Sequence, residues 1–169
     1  MKLNALESIV TSLNAAKVRY LIAGGLAVNA HGYLRYTKDV DFVIQLNPDN
    51  IERAMQALTS LGYKPNIPVS TKQFADPVQR QQWITQKGMQ VFQLWSDQYK
   101  ETPIDVFVTE PFPFDDEYNH ALIKSLHGTI EVRFVSIPTL IAMKQLANRE
   151  QDRIDIEHLR MILEDHGRK

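Results

Sequence analysis

The region that most constrains the fold is residues 20–46, which carry a glycine pair followed by two closely spaced aspartates. Residues 18–23 form a short apolar run that ends at Gly24-Gly25, which predicts a buried strand stopped by glycine. A helix is expected from Gly25 to His31. A strand that turns directly into a helix points the free N–H groups of the helix at one place, which favours binding of an anion such as phosphate.

Two aspartates open the second apolar run of this region. Because side chains alternate along a strand, Asp39 and Asp41 are expected on one face, and Val40, Phe42 and Ile44 on the buried face. Two hard oxygen ligands beside a phosphate-binding turn suit Mg²⁺, which is usually bound by one or two carboxylates together with substrate phosphates. Taken alone, the glycine pair is more simply a turn, and the aspartates a solvated strand end.

Together, these residues resemble the nucleotidyltransferase superfamily that includes DNA polymerase beta, whose mark is Gly-Gly or Gly-Ser followed by Asp-x-Asp. The chain is most similar to the small bacterial abortive-infection (AbiEii-type) toxin nucleotidyltransferases, which carry the pattern GGxAxxxHGxxRxTxDxDF. The matching residues are Gly24, Gly25, Ala27, His31, Gly32, Arg35, Thr37, Asp39, Asp41 and Phe42. Many superfamily members have serine at the second glycine position, so Gly25 is expected to remove a hydroxyl contact with phosphate.

A third carboxylate is found in residues 103–108, whose alternating pattern PIDVFV predicts a strand. An aspartate inside such an apolar strand is costly to bury unless it is paired or binds a metal. The alternative is an aspartate at the sheet rim that caps a loop. The resemblance implies a third carboxylate on a strand beside the Asp-x-Asp pair, and Asp105 is the candidate. Asp97 and Asp115-Asp116 lie where loops or helix starts are expected.

Two predicted C-terminal helices, residues 138–148 and 151–164, carry further charged residues. Lys144 lies among apolar neighbours, so its ammonium group either extends to solvent or contacts an anion. Asp152 either satisfies the dipole at a helix start or pairs with Lys144. The toxin-like relatives carry a lysine followed by arginine and aspartate that face the active site. The corresponding pattern here is Lys144, Arg149, Asp152 and Asp155.

The resemblance implies an enzyme that transfers a nucleoside monophosphate from an NTP to an acceptor hydroxyl. Two Mg²⁺ ions are the expected cofactors, with Mn²⁺ able to substitute. Asp39, Asp41 and Asp105 are the expected metal ligands and catalytic residues, joined in catalysis by Lys144. The expected nucleotide-binding residues are Gly24, Gly25, Arg35, Thr37, Lys38, Lys144, Arg149 and Asp152. For Thr37, a hydroxyl–backbone hydrogen bond that orders the loop is the alternative role.

The acceptor stays open between tRNA, a protein and a small molecule, and a toxin role would imply a cognate antitoxin. Two other functions are also open. One is a binding module that keeps the nucleotidyltransferase fold for a nucleotide or a partner, with little turnover. The presence of all three carboxylates argues against it, because degenerate relatives usually lose one. The other is a structural metal-binding protein that uses no nucleotide.

Composition excludes several other classes of protein. The 169 residues contain no cysteine, which excludes a disulfide framework and a thiolate metal site. The net charge of −1 gives no overall electrostatic attraction to nucleic acid, and a local basic groove stays open. No apolar run is long enough to span a bilayer, and residues 1–10 lack the apolar core of a signal peptide. A cytoplasmic protein without a membrane partner is therefore expected, and its oligomeric state stays open.

The predicted architecture is an α/β (α+β) nucleotidyltransferase fold, with a mixed central sheet of about five strands flanked by helices. A single domain is expected over residues 1–169, with its core in about 1–110 and a strand and helical pair in about 111–169. Further predictions are helices at 4–16, 48–61, 77–86 and 117–126, an edge strand at 129–135, a Ser136 cap, and a stripe of Asp152, Ile156, Leu159 and Leu163. A strand is predicted at 89–95, with Met89, Val91 and, less cleanly, Gln93 on its apolar face and Phe92 and Leu94 on the other, so that both faces are partly covered. The 112–114 loop either plugs the core or walls the nucleotide pocket.

Overall fold

The computed structural model describes residues 2–167, apart from the side chain of residue 166. Within these residues, a seven-stranded mixed sheet has the order β3-β4-β5-β2-β1-β7-β6. The strands are β1 (Tyr20–Ile22), β2 (Val40–Ile44), β3 (Tyr63–Pro65), β4 (Val91–Ser96), β5 (Ile104–Phe107), β6 (Leu122–Leu126) and β7 (Ile130–Phe134). The helices are α1 (Leu3–Ala15), α2 (Gly24–His31), α3 (Pro48–Ser60), α4 (Thr71–Ala75), α5 (Pro77–Lys87), α6 (Phe114–His120), α7 (Ile137–Ala147) and α8 (Glu150–Gly167).

The predicted α/β fold is confirmed, but the strand number of about five was wrong. The two additional strands are β3 and β6, which form the two edges of the sheet. The sequence offered no assignment for the proline-containing residues 63–74, where β3 and α4 lie. The side chain of His166, which fits no ligand pattern in the sequence, lies outside the described residues.

The central strand β2 determines where the site forms. It pairs antiparallel with β1, where Ile22 is opposite Phe42, and parallel with β5, where Asp41 is opposite Asp105. Helix α2 leaves the end of β1 and the chain then returns into β2. The end of β1, the first residues of β2 and the middle of β5 therefore meet at one place in the sheet.

An aromatic cluster anchors the β4 half of the sheet. Phe92 is fully buried and its ring stacks on Phe74 of α4 and Trp83 of α5, at centroid distances of 4.7 Å and 6.0 Å. Phe92 and Leu94 thus form the buried face of β4, and the predicted apolar face through Val91 was wrong. The reason is that α4 and α5 cover the face of β4 that carries Phe92 and Leu94, which is opposite the face that carries Val91.

The prediction of a helix over residues 117–126 was also wrong for the second half of that segment. Helix α6 ends at His120, and residues 122–126 form β6, paired antiparallel with β7. His127 and Gly128 both have positive φ, 49° and 75°, and the Thr129 N–H donates to the Leu126 carbonyl at 3.2 Å. These are the features of a tight hairpin turn that favours two antiparallel strands. β6 therefore takes the edge, and β7, predicted as the edge strand, lies between β6 and β1.

The first turn of α7 is capped by Glu117. Ser136 occupies the predicted N-cap position, but its side chain makes no capping hydrogen bond. Instead, the buried Glu117 carboxylate accepts from the Ser136 N–H at 2.6 Å and from the Thr139 hydroxyl. A carboxylate at a helix N-terminus is favourable to the helix dipole. Glu117 therefore fixes the start of the helix that carries Lys144.

Helix α8 turns two aspartates toward the protein interior. Asp152, Asp155 and Leu159 are buried, whereas Leu163, predicted on the same stripe, is 43% exposed. The buried residues Asp152, Asp155 and Leu159 and the predicted stripe through Leu163 both fit helical spacing, so the sequence pattern alone did not distinguish between these two faces. The ion pairs of Asp155 decide the rotation of the helix.

Replacement of Phe92 by alanine should reduce the free energy of unfolding by about 3–5 kcal/mol, because it empties a buried site between two stacked rings. The urea midpoint measured by circular dichroism checks this. Ile123→Ala, on the exposed edge strand, is the matched control and should cost about 1 kcal/mol or less. Equal losses in the two variants would contradict the assignment of the core.

Candidate active site

A glycine corner joins β1 to α2 and lies against Asp41. The Ala23 N–H donates to the Asp41 carbonyl at 2.8 Å, which ties the end of β1 to β2. Gly24 has a φ of +59°, and a Cβ atom there would lie 1.8 Å from Oδ2 of Asp41. Only glycine fits, because a side chain would need a left-handed backbone and the space that the carboxylate fills. The N–H groups that begin α2 therefore start beside Asp41.

Thr37 fills the space beside the second glycine. A Cβ atom at Gly25 would lie 2.5 Å from the Thr37 hydroxyl oxygen and 2.8 Å from its Cβ atom. The corner therefore has a hydroxyl group after all, although it comes from Thr37 and not from residue 25. The Thr37 hydroxyl bond to the backbone is formed with the Asp39 carbonyl, but it is long, at 3.5 Å.

The structure places Asp41 and Asp105 side by side at the centre of the sheet, with Asp39 nearby in the chain. Asp41 and Asp105 are opposite each other on adjacent parallel strands, and Asp39 directly precedes β2. The pKa of Asp41 is raised to about 6, chiefly by burial and then by the charges of Asp105 and Asp39, against the opposing effects of Lys144 and Arg149. Burial likewise raises the pKa of Asp105. The protein thus places negative charge where it is poorly solvated.

The sequence missed the residue that positions Asp105. Gln93 of β4 lies opposite Asp105, and its Nε2 donates to Asp105 Oδ1 at 3.0 Å. Its Oε1 accepts from Asn66 Nδ2 at 2.9 Å. The amide is therefore held from both sides and fixes one oxygen of the carboxylate. The sequence signal for this role was that Gln93 is a polar residue within the largely apolar strand β4.

The carboxylates fit a divalent cation that is also bound by substrate. Within residues 2–167, no three His, Cys, Asp or Glu side chains are grouped closely enough to hold a metal ion by themselves. Mg²⁺ does not require such a group, because it keeps several waters and takes one or two carboxylates plus phosphate oxygens. The poorly solvated pair of Asp41 and Asp105, with Asp39 beside it, is a donor set of this kind.

A buried ion network joins α7, α8 and the loop before β2. Lys144 Nζ lies 3.1 Å from Asp152 Oδ1 and 2.6 Å from Asp155 Oδ2, and all three side chains are buried. The Arg35 guanidinium binds Asp155 through two parallel hydrogen bonds of 2.7 Å and 2.8 Å. Arg149 Nε binds Asp152 at 2.8 Å, with its side chain 77% exposed. The predicted ion pair of Lys144 with Asp152 is therefore present.

Asp155, the last residue of the predicted Lys–Arg–Asp–Asp pattern, is the centre of this network. Burial raises the pKa of Asp155, but hydrogen bonds from Arg35, Lys144 and Gln151 outweigh that effect and hold the pKa below its usual range. The same balance, with Arg149 and Lys144 as donors, lowers the pKa of Asp152. Both carboxylates are therefore ionised partners of the surrounding cations.

The network lies next to the glycine corner. Arg35 Nη1 would be 3.0 Å from a Cβ atom at Gly25. Lys144 and Arg149 both lower the pKa of Asp41 by their charge. Three cations and two carboxylates leave one positive charge beside the N-terminus of α2. Lys38, in the same loop as Arg35, is exposed.

Comparison with known proteins identifies the family. A family model described as "Nucleotidyl transferase AbiEii toxin, Type IV TA system" matches residues 6–160. The chain belongs to the AbiEii nucleotidyltransferase family. It is thus a nucleotidyltransferase, as the glycine pair and the Asp-x-Asp pattern predicted. Comparison with curated protein sequences found no match.

Solved structures of other nucleotidyltransferases share the fold. A lincomycin-bound lincosamide antibiotic adenylyltransferase, LnuA, matches with a TM-score of 0.64 at 15% identity, over 96% of this chain and 98% of that chain. ANT(2")-Ia in complex with adenylyl-2"-tobramycin matches with a TM-score of 0.57 at 12% identity, over 92% and 85%. A nucleotidyltransferase-like protein from Paracoccidioides brasiliensis matches with a TM-score of 0.51 at 21% identity, over 89% and 71%.

A cavity of this AbiEii-family chain lies away from the carboxylates, at the end of β1 opposite Gly24. Its lining includes Asn14, Tyr20 and Glu131. Phe114 is buried at this end, where its ring lies 5.6 Å from Tyr118. Of the two interpretations of the 112–114 loop, the structure favours a plug over the core. Among the described helices, none has the length and apolarity needed to cross a membrane.

Asp155→Ala should lower the free energy of unfolding by about 3–5 kcal/mol, because it leaves Arg35 and Lys144 without the carboxylate that both contact. Urea denaturation followed by tryptophan fluorescence measures the change. Glu131→Ala, which breaks the half-exposed pair with Arg133, is the control and should cost about 0–1 kcal/mol. A wild-type midpoint for Asp155→Ala would show that the network does not stabilise the fold.

Asp41→Asn should stabilise the protein at pH 8 by about 1–3 kcal/mol, with little effect near pH 4. The folded-state pKa of Asp41 is raised to about 6, so the folded protein binds this proton more tightly than the unfolded chain. Its ionisation therefore costs stability as the pH rises from about 4 to about 6, and the full cost remains above that range. Denaturant titrations across this range test the prediction. A difference between the variants that does not change with pH would contradict it.

Proposed function

We propose that this nucleotidyltransferase transfers a nucleoside monophosphate from an NTP to an acceptor hydroxyl and depends on divalent cations. The observation that carries the proposal is the register of β2 and β5, which sets Asp41 opposite Asp105 while Gly24 touches Asp41. Carboxylates for a cation and N–H groups for a phosphate are thus combined within one site. The family membership supports the same reaction.

The triphosphate is proposed to lie between the glycine corner and the C-terminal helices. The N–H groups of Gly24 and Gly25 start α2, and a helix N-terminus favours an anion. The Thr37 hydroxyl, Arg35 and Lys38 lie in the adjoining loop and supply a donor and positive charge. Arg149 is the exposed cation of the ion network, so it is proposed to contact phosphate directly.

Lys144 and Asp152 are proposed to act mainly through each other. Lys144 is buried between two carboxylates, so it is proposed to attract the phosphates electrostatically without contacting them. Asp152 holds both Lys144 and Arg149. Electrostatic groups that are fixed before substrate binds need no rearrangement during the reaction, which increases their effect on the rate.

Asp39, Asp41 and Asp105 are proposed to hold one or two Mg²⁺ ions, with Mn²⁺ able to substitute. Bound Mg²⁺ would neutralise phosphate charge and make the acceptor hydroxyl more acidic. The acceptor oxygen forms a bond to the α-phosphorus while the bond from that phosphorus to the bridging oxygen breaks, and pyrophosphate leaves. Asp105 is proposed to receive the hydroxyl proton, because burial raises its pKa and so makes the ionised group a stronger base than an ordinary aspartate.

A toxin role with a cognate antitoxin is proposed from the family description, which names a Type IV toxin–antitoxin system. A cytoplasmic location would be in keeping with that role. The alternative, a binding module with little turnover, is disfavoured because the sequence retains all three carboxylates, of which degenerate relatives usually lose at least one.

Incubation with each α-labelled NTP, Mg²⁺ and a cell extract should label an acceptor, and Asp39→Ala and Asp41→Ala should reduce the label at least about hundredfold. Thermal stabilisation of the protein by NTP and Mg²⁺ together is measured in parallel. Stabilisation without label transfer would favour the binding module. Label transfer that survives both substitutions would remove these carboxylates from the mechanism.

A further inference from the structure

The carboxylates have two different sides, and only one of them is open. On the β1 side, Gly24 contacts Asp41, and α2 with the ion network of α8 lies close by. On the β5 side, the sheet continues through β4 and β3. This inference rests on the proposed function: if the triphosphate lies on the β1 side, the acceptor approaches over β5, β4 and β3.

The register of the strands shows which side chains form this open face. Asp41 is opposite Asp105, and Asp105 is opposite Gln93. Because side chains alternate, residues two positions away share the same face. Trp95 is two residues beyond Gln93 and is opposite Lys64 on β3. The face therefore runs outward from the carboxylates through Gln93 to a pair formed by Trp95 and Lys64.

The two faces of this part of the sheet differ sharply in exposure. Phe92, Leu94, Ile104 and Val106 point to the other face and are buried there. On the open face, Gln93 and Lys64 are exposed, and Trp95 is 40% exposed. A large aromatic ring on an uncovered sheet face beside catalytic carboxylates is a candidate platform for a flat ligand.

The charge on this face selects the chemistry of the ligand. The Lys64 ammonium lies 6.0 Å from the centroid of the Trp95 ring, close enough for a cation–π interaction. The cation thus lies over the aromatic ring, and its strand, β3, is one strand farther from the carboxylates than β4, which carries the ring. A flat ligand that stacks on the ring would take the place of the flexible lysine side chain. An acceptor with a flat ring and an anionic group fits this arrangement, whereas a polycation would meet Lys64 with repulsion.

We propose that Trp95 and Lys64 bind the acceptor, and that the acceptor is a nucleoside phosphate. Its base would stack on Trp95, its 5′-phosphate would pair with Lys64, and its 2′- or 3′-hydroxyl would point inward to Asp105. Trp95 lies two strand spacings, or about 10 Å, from the Asp39 end of β2. Gln93, which is fixed by Asn66 and Asp105, provides an amide between base and carboxylate. Stacking on an aromatic residue beside a cation is a general mode of nucleic-acid binding.

This ligand chemistry has two sources, a free nucleotide and the terminal nucleotide of an RNA strand. Trp95 itself reports on binding, because a stacked base quenches indole fluorescence. The full-length protein is first saturated with Mg²⁺ and an NTP analogue whose α–β bridge is a methylene group and cannot be cleaved. It is then titrated with AMP, with a short single-stranded RNA ending in adenosine with a free 3′-hydroxyl, with adenosine, and with the polycation tobramycin.

We expect AMP or the RNA to quench the tryptophan fluorescence. Trp95→Phe keeps the buried Trp83, and most of the quenching should be lost in this variant, which would identify Trp95 as the residue that is quenched. Trp95→Ala should weaken binding about ten- to hundredfold in calorimetry, and Lys64→Glu about tenfold, with Lys64→Arg near wild type. Adenosine should bind more weakly than AMP. Equal affinity for AMP and RNA assigns the site to free nucleotides, and tighter binding of RNA assigns it to an RNA end.

The proposal is overturned if neither AMP nor RNA binds, if tobramycin binds more tightly than both, or if Trp95→Ala and Lys64→Glu bind as the wild type does. Urea midpoints of the variants show that each is folded. Failure here is distinguishable from failure of the proposed function. In the first case, NTP with Mg²⁺ still stabilises the protein thermally, whereas in the second case that stabilisation is absent as well.

Discussion

Asp41 and Asp105 are held side by side by the backbone hydrogen bonds of β2 and β5, although their negative charges repel each other. Burial adds to this repulsion, because it removes the water that would otherwise solvate both groups. Lys144 and Arg149 offset part of the cost from the other side of Asp41. The two carboxylates therefore repel each other in the folded protein, and a cation bound between them would reduce that repulsion.

The C-terminal helices do more than cover the sheet. Asp155 is fully buried and binds both Arg35, from the loop before β2, and Lys144, from α7. Arg35 in turn reaches the glycine corner. The positions of the corner, the loop and the helical pair are thus coupled through one carboxylate. Glu117 contributes from a distance, because it caps the helix on which Lys144 lies.

The two sides of the carboxylate row are built differently. The β1 side is built from close backbone contacts, such as that between Gly24 and Asp41, which leave little room for variation. The β5 side is an uncovered sheet surface, where side chains such as Trp95 can change without disturbing the core.

The expectation that Asp105 is the third carboxylate came from the family resemblance. The sequence by itself determined the local features: the buried β1, the glycine turn into α2, and the alternation that puts Asp39 and Asp41 on one face. These follow from short-range periodicity and from the few residues that each turn accepts. Only the tertiary structure decided the strand order, the hairpin of β6 and β7, the rotation of α8 that buries Asp155, and the contact of Thr37 with Gly25. Each of these depends on a partner far along the chain, and a local pattern does not specify which distant residue will supply it.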